Sequence, residues 1–209
     1  MTLPRRLELL GWGTRRHGWI LEDDYDSEYR YASRPIASLQ GLDKSGSVIY
    51  CGTFSKVMFP SLRLGYMIVP DPLVDVFSGA KAVLDRHCPT VEQAVLAEFI
   101  ADGHLARHIR RMRMLYWERQ NILLENLHRE LAGALEVRAH EAGMHVVGWL
   151  KGVRDSVISR RARDLGVDAP ALTTYREKTG GRSGLVLGYA AYSGVQLRQA
   201  VTTLATAMG

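Results

Sequence analysis

The sequence predicts an α/β fold for its first half and a smaller α+β domain after it. Three observations carry that expectation. Short apolar runs rich in β-branched and aromatic residues alternate with stretches whose apolar positions recur at helical spacing. Two of the apolar runs empty directly into acids, hydroxyls and a lysine. After Gly133 the order changes to a strand pair, a helix, a strand and a closing helix.

The elements follow in order. "LPRRLELLGWGTRRHG" is predicted helical, with Pro4 near its start and Gly18 at its end. "WILED" (19–23), "SVIYCGTF" (47–54) and "RLGYMIV" (63–69) read as strands. "DPLVDVFSGAKAVLDRH" and "PTVEQAVLAEFIADG" read as helices, the second with Thr90 and Gln93 spaced for a capping box. A long helix spans 104–131, with Leu105, Ile109, Met112, Leu115 and Tyr116 on one face. Beyond it, "ALEVRA" and "GMHVVGWL" form two strands around a turn, "VRDSVISRRARDLG" a helix stopped by Gly166, "SGLVLGYAAY" a strand and "GVQLRQAVTTLATAM" an amphipathic helix. The expected organisation is therefore 1–103 as an α/β portion, 104–131 as a connecting helix and 132–209 as the small domain. Three strands before the long helix are few for a sheet covered on both faces. The α/β portion is expected either to pair with another chain or to begin inside a domain.

Composition narrows the class without naming it. Of 209 residues, 46% are hydrophobic and 23% charged, which suits a globular chain. No apolar run approaches the roughly 20 residues that cross a bilayer, and "TLPRRLELLGWG" after Met1 lacks a signal-peptide core. Cys51 and Cys88 fit neither a metal spacing nor a disulfide framework, so a cytoplasmic location is expected. The net charge of +5 and pI near 9.4 permit anionic ligands but do not choose among them. "HLARHIRRMRMLYWERQ" (104–120) is densely basic, yet without zinc or helix-turn-helix signals it reads as a solvated helix face.

The chemistry concentrates at strand ends, where ligands of α/β sheets bind. "WILEDDYDSEYRY" (19–31) delivers Glu22, Asp23, Asp24, Tyr25, Asp26 and Glu28 after an apolar run. "YCGTFSK" delivers Thr53, Ser55 and Lys56, and "PSLRLGY" adds Arg63 at the start of the next strand. One ligand would use all of them. A phosphate monoester takes hydroxyl donors and a guanidinium, a pyridinium nitrogen takes a carboxylate, and an aldehyde condenses with a lysine. Pyridoxal phosphate carries all three groups. Asp23 and Asp24 alternate on a strand, so one of the two faces inward and the other outward.

"EDDYDSEYRY", "GTFSK" and "PSLRLGY" resemble the class I/II, fold-type I aminotransferases, and within them the aminotransferase-like domain of MocR/GabR-type transcriptional regulators. "TLPRRLELL" and "PIASLQGLD" match that group as well; Lys56 follows Asp23 by 33 residues and precedes Arg63 by 7, as the family pattern requires. The resemblance implies a partial fold-type I large domain and a small C-terminal domain. It implies a Schiff base of pyridoxal 5'-phosphate on Lys56, Asp23 at the pyridine nitrogen, and Tyr25 at the phenolic oxygen. Thr53, Ser55 and Arg63 are implied to hold the phosphate. Amino-group transfer between an amino acid or amine and a keto acid follows, or alternatively ligand sensing with little turnover. A homodimer is implied, with no membrane partner, and DNA bound only through an N-terminal domain that this chain lacks.

The sequence departs from the family in two places. The substrate-carboxylate arginine has no equivalent in "GLVLGYAAY", where Val186 stands, and Arg182 in "TGGRSG" is a weak candidate for that role. The family's glycine-containing phosphate loop, stacking aromatic and asparagine would precede Met1. The expectation is thus a C-terminal part of a longer protein, inactive alone and binding the cofactor weakly.

Overall fold

The computed structural model describes residues 1–31, 37–177 and 180–209. Pro35 and Ile36 of "PIASLQGLD" and Thr179 of "TGGRSG" lie outside the described residues. The chain divides into two units. Of the described residues, one holds Met1–Glu28 and Ala37–Ile109; the other holds Tyr29–Tyr31 and Arg110–Gly209.

In the first unit, helix α1 (Leu3–Arg16) leads through a left-handed His17 into strand β1 (Ile20–Asp24). A one-turn helix α2 (Leu39–Leu42) precedes β2 (Val48–Thr53), and β3 (Gly65–Ile68) follows. β1 and β2 pair in parallel, and β3 runs antiparallel on the other side of β2. Alternation along the strands sends Ile20 and Val48 to the face covered by Leu10 of α1 and Leu39 of α2, which makes a small apolar core. Asp43 sets where β2 begins. Its carboxylate accepts the Ser45 hydroxyl and the amides of Ser45, Ser47 and Val48; burial pushes its pKa up, but these bonds outweigh it and hold the pKa below the usual carboxylate value. Helices α3 (Val74–Leu84), α4 (Thr90–Ala101) and the start of α5 (His104–Leu131) complete the unit.

Thr90 does not form the expected capping box. Pro89 takes the N-cap place with extended backbone, and Thr90 becomes the first helical residue with its side chain uninvolved. The box occurs instead at Ser193 and Gln196.

The second unit is better filled. Strands β4 (Leu135–Val137), β5 (His145–Leu150) and β6 (Gly184–Gly188) form an antiparallel sheet in that order. Leu135, Val137, Val146, Leu150, Leu185 and Leu187 line one face of it. Against them pack Leu123, Leu127 and Leu131 of α5, Ile158 and Ala162 of α6 (Asp155–Asp164), and Leu197, Val201 and Leu204 of α7 (Gly194–Met208). Gly166 ends α6 with φ +86°, the left-handed backbone that favours glycine.

One buried acid organises this unit. Asp155 is 2% exposed and accepts the Thr173 amide at 3.0 Å, the Thr173 hydroxyl at 2.7 Å and the Gly184 amide at 3.2 Å. Burial alone would raise its pKa; those hydrogen bonds outweigh it and hold the carboxyl below its ordinary range. A depressed native pKa adds stability above the unfolded value of about 3.9, lost as pH falls through the lower native value. Asp155→Ala should therefore cost about 2–3 kcal/mol in urea melts at pH 7. Asp155→Asn, whose amide oxygen can still face two N–H groups, should cost about 1 kcal/mol. The gap between wild type and Asp155→Ala should narrow in melts repeated towards pH 3.

Candidate functional site

Three of the acids in 22–28 leave β1 with different partners. Glu22 accepts the Leu39 and Gln40 amides at 2.8 and 3.0 Å and pairs with Arg6 at 3.1 Å, so it fastens α2 to β1. Asp24 lies on the same face, accepting the Tyr50 hydroxyl at 2.9 Å and the Ser27 amide at 3.2 Å. Burial, then that bond, push the Tyr50 hydroxyl pKa well up. Asp23 points to the opposite face, directly across from Cys51, and is exposed. Burial, then the Asp23 charge, push the Cys51 thiol pKa up.

β2 delivers Thr53 on the face shared by Asp23 and Cys51. The Thr53 hydroxyl oxygen accepts the Ser55 amide at 3.1 Å, turning the chain away from the strand. Lys56 then sits, exposed, in a turn closed by the Met58 amide on the Phe54 carbonyl at 2.8 Å. The chain re-enters the sheet through the short helix Pro60–Leu62 and Arg63, whose φ of +50° is left-handed. The Phe54 amide donates to the Leu64 carbonyl at 2.9 Å and closes this excursion. Gly52 is required beneath it: a Cβ there would meet the Tyr66 ring at 2.4 Å.

The antiparallel register places Gly65 opposite Thr53. Asp23, Thr53, Ser55, Lys56 and Arg63 thus share one end of the sheet, the carboxyl end of its two parallel strands. Among the described residues, neither Asp23 nor Arg63 makes an ion pair. A carboxylate and a guanidinium left without counter-ions at one sheet end suit a ligand that carries both a cationic and an anionic group. Tyr25 follows β1, and its pKa is raised by burial, then by Asp26 and Asp23, so the phenol keeps its proton.

Arg182 belongs to the other unit and has partners of its own. It pairs with Glu136, which also holds Arg138 at 2.9 Å, and its guanidinium lies 5.2 Å from the Trp149 ring centre. Those two arginines hold the Glu136 pKa low. Val186 sits in β6 opposite Val147 and away from the buried leucines. Sequence reasoning missed His108, whose Nε2 is 3.0 Å from the Val57 carbonyl, next to Lys56. The sequence shows it only as one histidine of a basic helix, which does not name a partner 51 residues away.

The Aminotransferase class I and II family profile matches residues 9–185. The chain belongs to that family. A probable rhizopine catabolism regulatory protein MocR from Rhizobium meliloti is 41% identical over 99% of this chain and 42% of its own length. The pyridoxine biosynthesis transcriptional regulator PdxR of Corynebacterium glutamicum is 30% identical over 98% of this chain and 44% of its own. Among solved structures, the kynurenine aminotransferase of Pyrococcus horikoshii, determined with PMP and substrates, superposes at a TM-score of 0.91 with 26% identity. It is matched over 52% of its chain and 100% of this one. LysN, the α-aminoadipate aminotransferase of Thermus thermophilus in complex with N-(5'-phosphopyridoxyl)-L-leucine, gives 0.88 with 28% identity over 54% of its chain. This aminotransferase-type domain thus spans about half the length of the proteins it matches.

Within the aminotransferase-type domain, Arg63 carries backbone strain that a glycine would relieve. Arg63→Gly should be about 1 kcal/mol more stable than Arg63→Ala in urea melts.

Proposed function

We propose that this domain binds pyridoxal 5'-phosphate at the carboxyl end of β1 and β2 and supports amino-group transfer between an amino acid or amine and a keto acid. The observation that carries this is the placement of Lys56 at the sheet end that also holds an unpaired Asp23 and an unpaired Arg63. The cofactor, when bound, supplies an aldehyde that condenses with an amine and a ring that takes up an electron pair.

The chain's own groups divide the rest of the work. Arg63 and the Thr53 and Ser55 hydroxyls hold the phosphate through charge-assisted hydrogen bonds. Asp23 would keep a proton on the pyridine nitrogen, because a neighbouring carboxylate favours the charged form. Tyr25, protonated by its raised pKa, donates to the phenolic oxygen. The Lys56 Nζ would be the condensing amine, and as a free amine it would move a proton to and from the substrate α-carbon. Arg182 receives no role here, because Glu136 and Trp149 already engage it.

A second reading keeps the same site but makes it a sensor with little turnover. Identity favours it: regulators reach 41% and 30%, against 26% and 28% for the two aminotransferases of known structure. In that reading DNA contact falls to a helix-turn-helix module of the kind such regulators are named for. Under either reading the working form is a homodimer.

Borohydride reduction in the presence of pyridoxal phosphate, followed by peptide mass mapping, tests the assignment. The expected result is a phosphopyridoxyl group on the peptide containing Lys56, abolished by Lys56→Ala. Asp23→Asn should retain the label while lowering any amino transfer at least about 10²-fold, as loss of a preorganised charge does. A wild-type protein labelled elsewhere, with Lys56 unmodified, sinks the proposal.

A further inference from the structure

The leucine-rich core of the second unit contains a cavity of about 120 Å³, between α5, α7 and the end of β6. Leu123 and Leu127 of α5, Leu187 of β6, and Leu197, Val201 and Leu204 of α7 form its wall, each 7% exposed or less. Native cores are otherwise packed as densely as organic crystals, so a gap of this size forfeits contacts on every side. Water suits it poorly, because a buried water needs about two to four polar partners. Polar groups of this wall have partners of their own. The Gln196 Oε1 accepts the Ser193 amide and hydroxyl at 2.9 and 3.0 Å, and the Gly166 and Val167 amides donate to the Arg163 and Ala162 carbonyls at 2.9 and 2.8 Å. The size fits an aromatic ring instead: an apolar protein cavity of about 150 Å³ takes up benzene.

The mouth has a different character. Asp168 and Tyr192 also line the cavity, and both are exposed, Tyr192 by 50% and the Asp168 side chain by 69%. Asp168 is the charged residue of the lining, and its contact with Arg163 at 3.5 Å is a surface pair of little strength. A carboxylate beside an aromatic face attracts an ammonium group. We propose that this cavity binds a small amine with an aryl or branched-alkyl body of about six carbons. The body fills the leucine pocket, and the ammonium stays at the mouth with Asp168 and Tyr192. The site lies in the second unit and uses none of the residues assigned to the cofactor.

Methyl NMR of the full chain, labelled at Leu and Val, tests this with three probes. Benzylamine, benzyl alcohol and benzoate share a ring and differ in the group attached to it. Benzylamine should shift the methyls of Leu123, Leu127, Leu197 and Val201 and saturate with a Kd on the order of 1 mM or tighter. Benzyl alcohol should bind about fivefold more weakly and benzoate more weakly still; Asp168→Asn should bring benzylamine to the level of the alcohol. Ala200→Leu adds bulk to the wall from α7 and should weaken benzylamine at least about tenfold, with Val201→Ile in its place if that variant does not fold. No saturable shift in the wild-type protein overturns the site, as do shifts spread equally over Leu10, Leu39 and Leu96 of the first unit. Benzoate binding as tightly as benzylamine, an Asp168→Asn that leaves benzylamine affinity unchanged, or a folded wall variant that binds as wild type does would each overturn it too.

Discussion

The parallel register of β1 on β2 sets Asp23 opposite Cys51 and Asp24 opposite Gly52, and what the first unit can do depends on it. Consecutive residues of a strand leave on opposite faces, so a slip by one position would exchange the two carboxylates. In the observed register Glu22 and Asp24 are used up inside the structure, one on the start of α2 and the other on Tyr50. Asp23 is the acid left facing outward at the end where Thr53 turns the chain toward Lys56. The register is not free to slip. Ile20 and Val48 must face Leu10 and Leu39, and Gly52 must lie under Tyr66.

That dependence explains which parts were legible in the sequence. Periods of 2 and 3.6 located the longer elements to within a few residues, because each buries one face and its apolar spacing records that face. The strand ends were legible for the same reason: a short apolar run that empties into acids or into "GTFSK" marks its own boundary. The choice between Asp23 and Asp24 was not legible from alternation alone, since period 2 separates the two without saying which face is covered. The cover comes from α1 and α2, and α2 is too short at four residues to show a periodic signal. Thr90 failed as a cap because a proline beside it competes for the same place, and a spacing rule does not weigh that competition.

Pairings across long sequence separations were invisible for another reason. Arg182 looked available because "TGGRSG" offers it no acid, yet β4 brings Glu136 and β5 brings Trp149 to it. His108 looked like one more polar residue of a basic helix until the fold placed it against Val57. Both are made by tertiary packing, and a helix pattern or loop composition contains no term for it. The two units also differ in how much they bury. Among the described residues α3 buries none of its side chains and all four residues of β3 are exposed, while the second unit has a broad leucine-rich core. The site therefore stands on the less buried of the two sheets.

Arg63 supplies the last step, because its backbone is costly where its side chain is not used by the protein itself. A left-handed φ of +50° at a residue with a Cβ costs about 1–2 kcal/mol, and glycine would occupy the same turn with less strain. Packing does not repay the difference: the side chain is exposed and joins no ion pair among the described residues. The strained conformation does achieve one thing. It turns the chain from the Pro60–Leu62 helix into β3 at the point where Thr53 faces Gly65. An outlier that weakens the fold and gains nothing inside it points to a demand from outside. On the proposed function, at the end of two parallel strands, that demand is the anion Arg63 would hold.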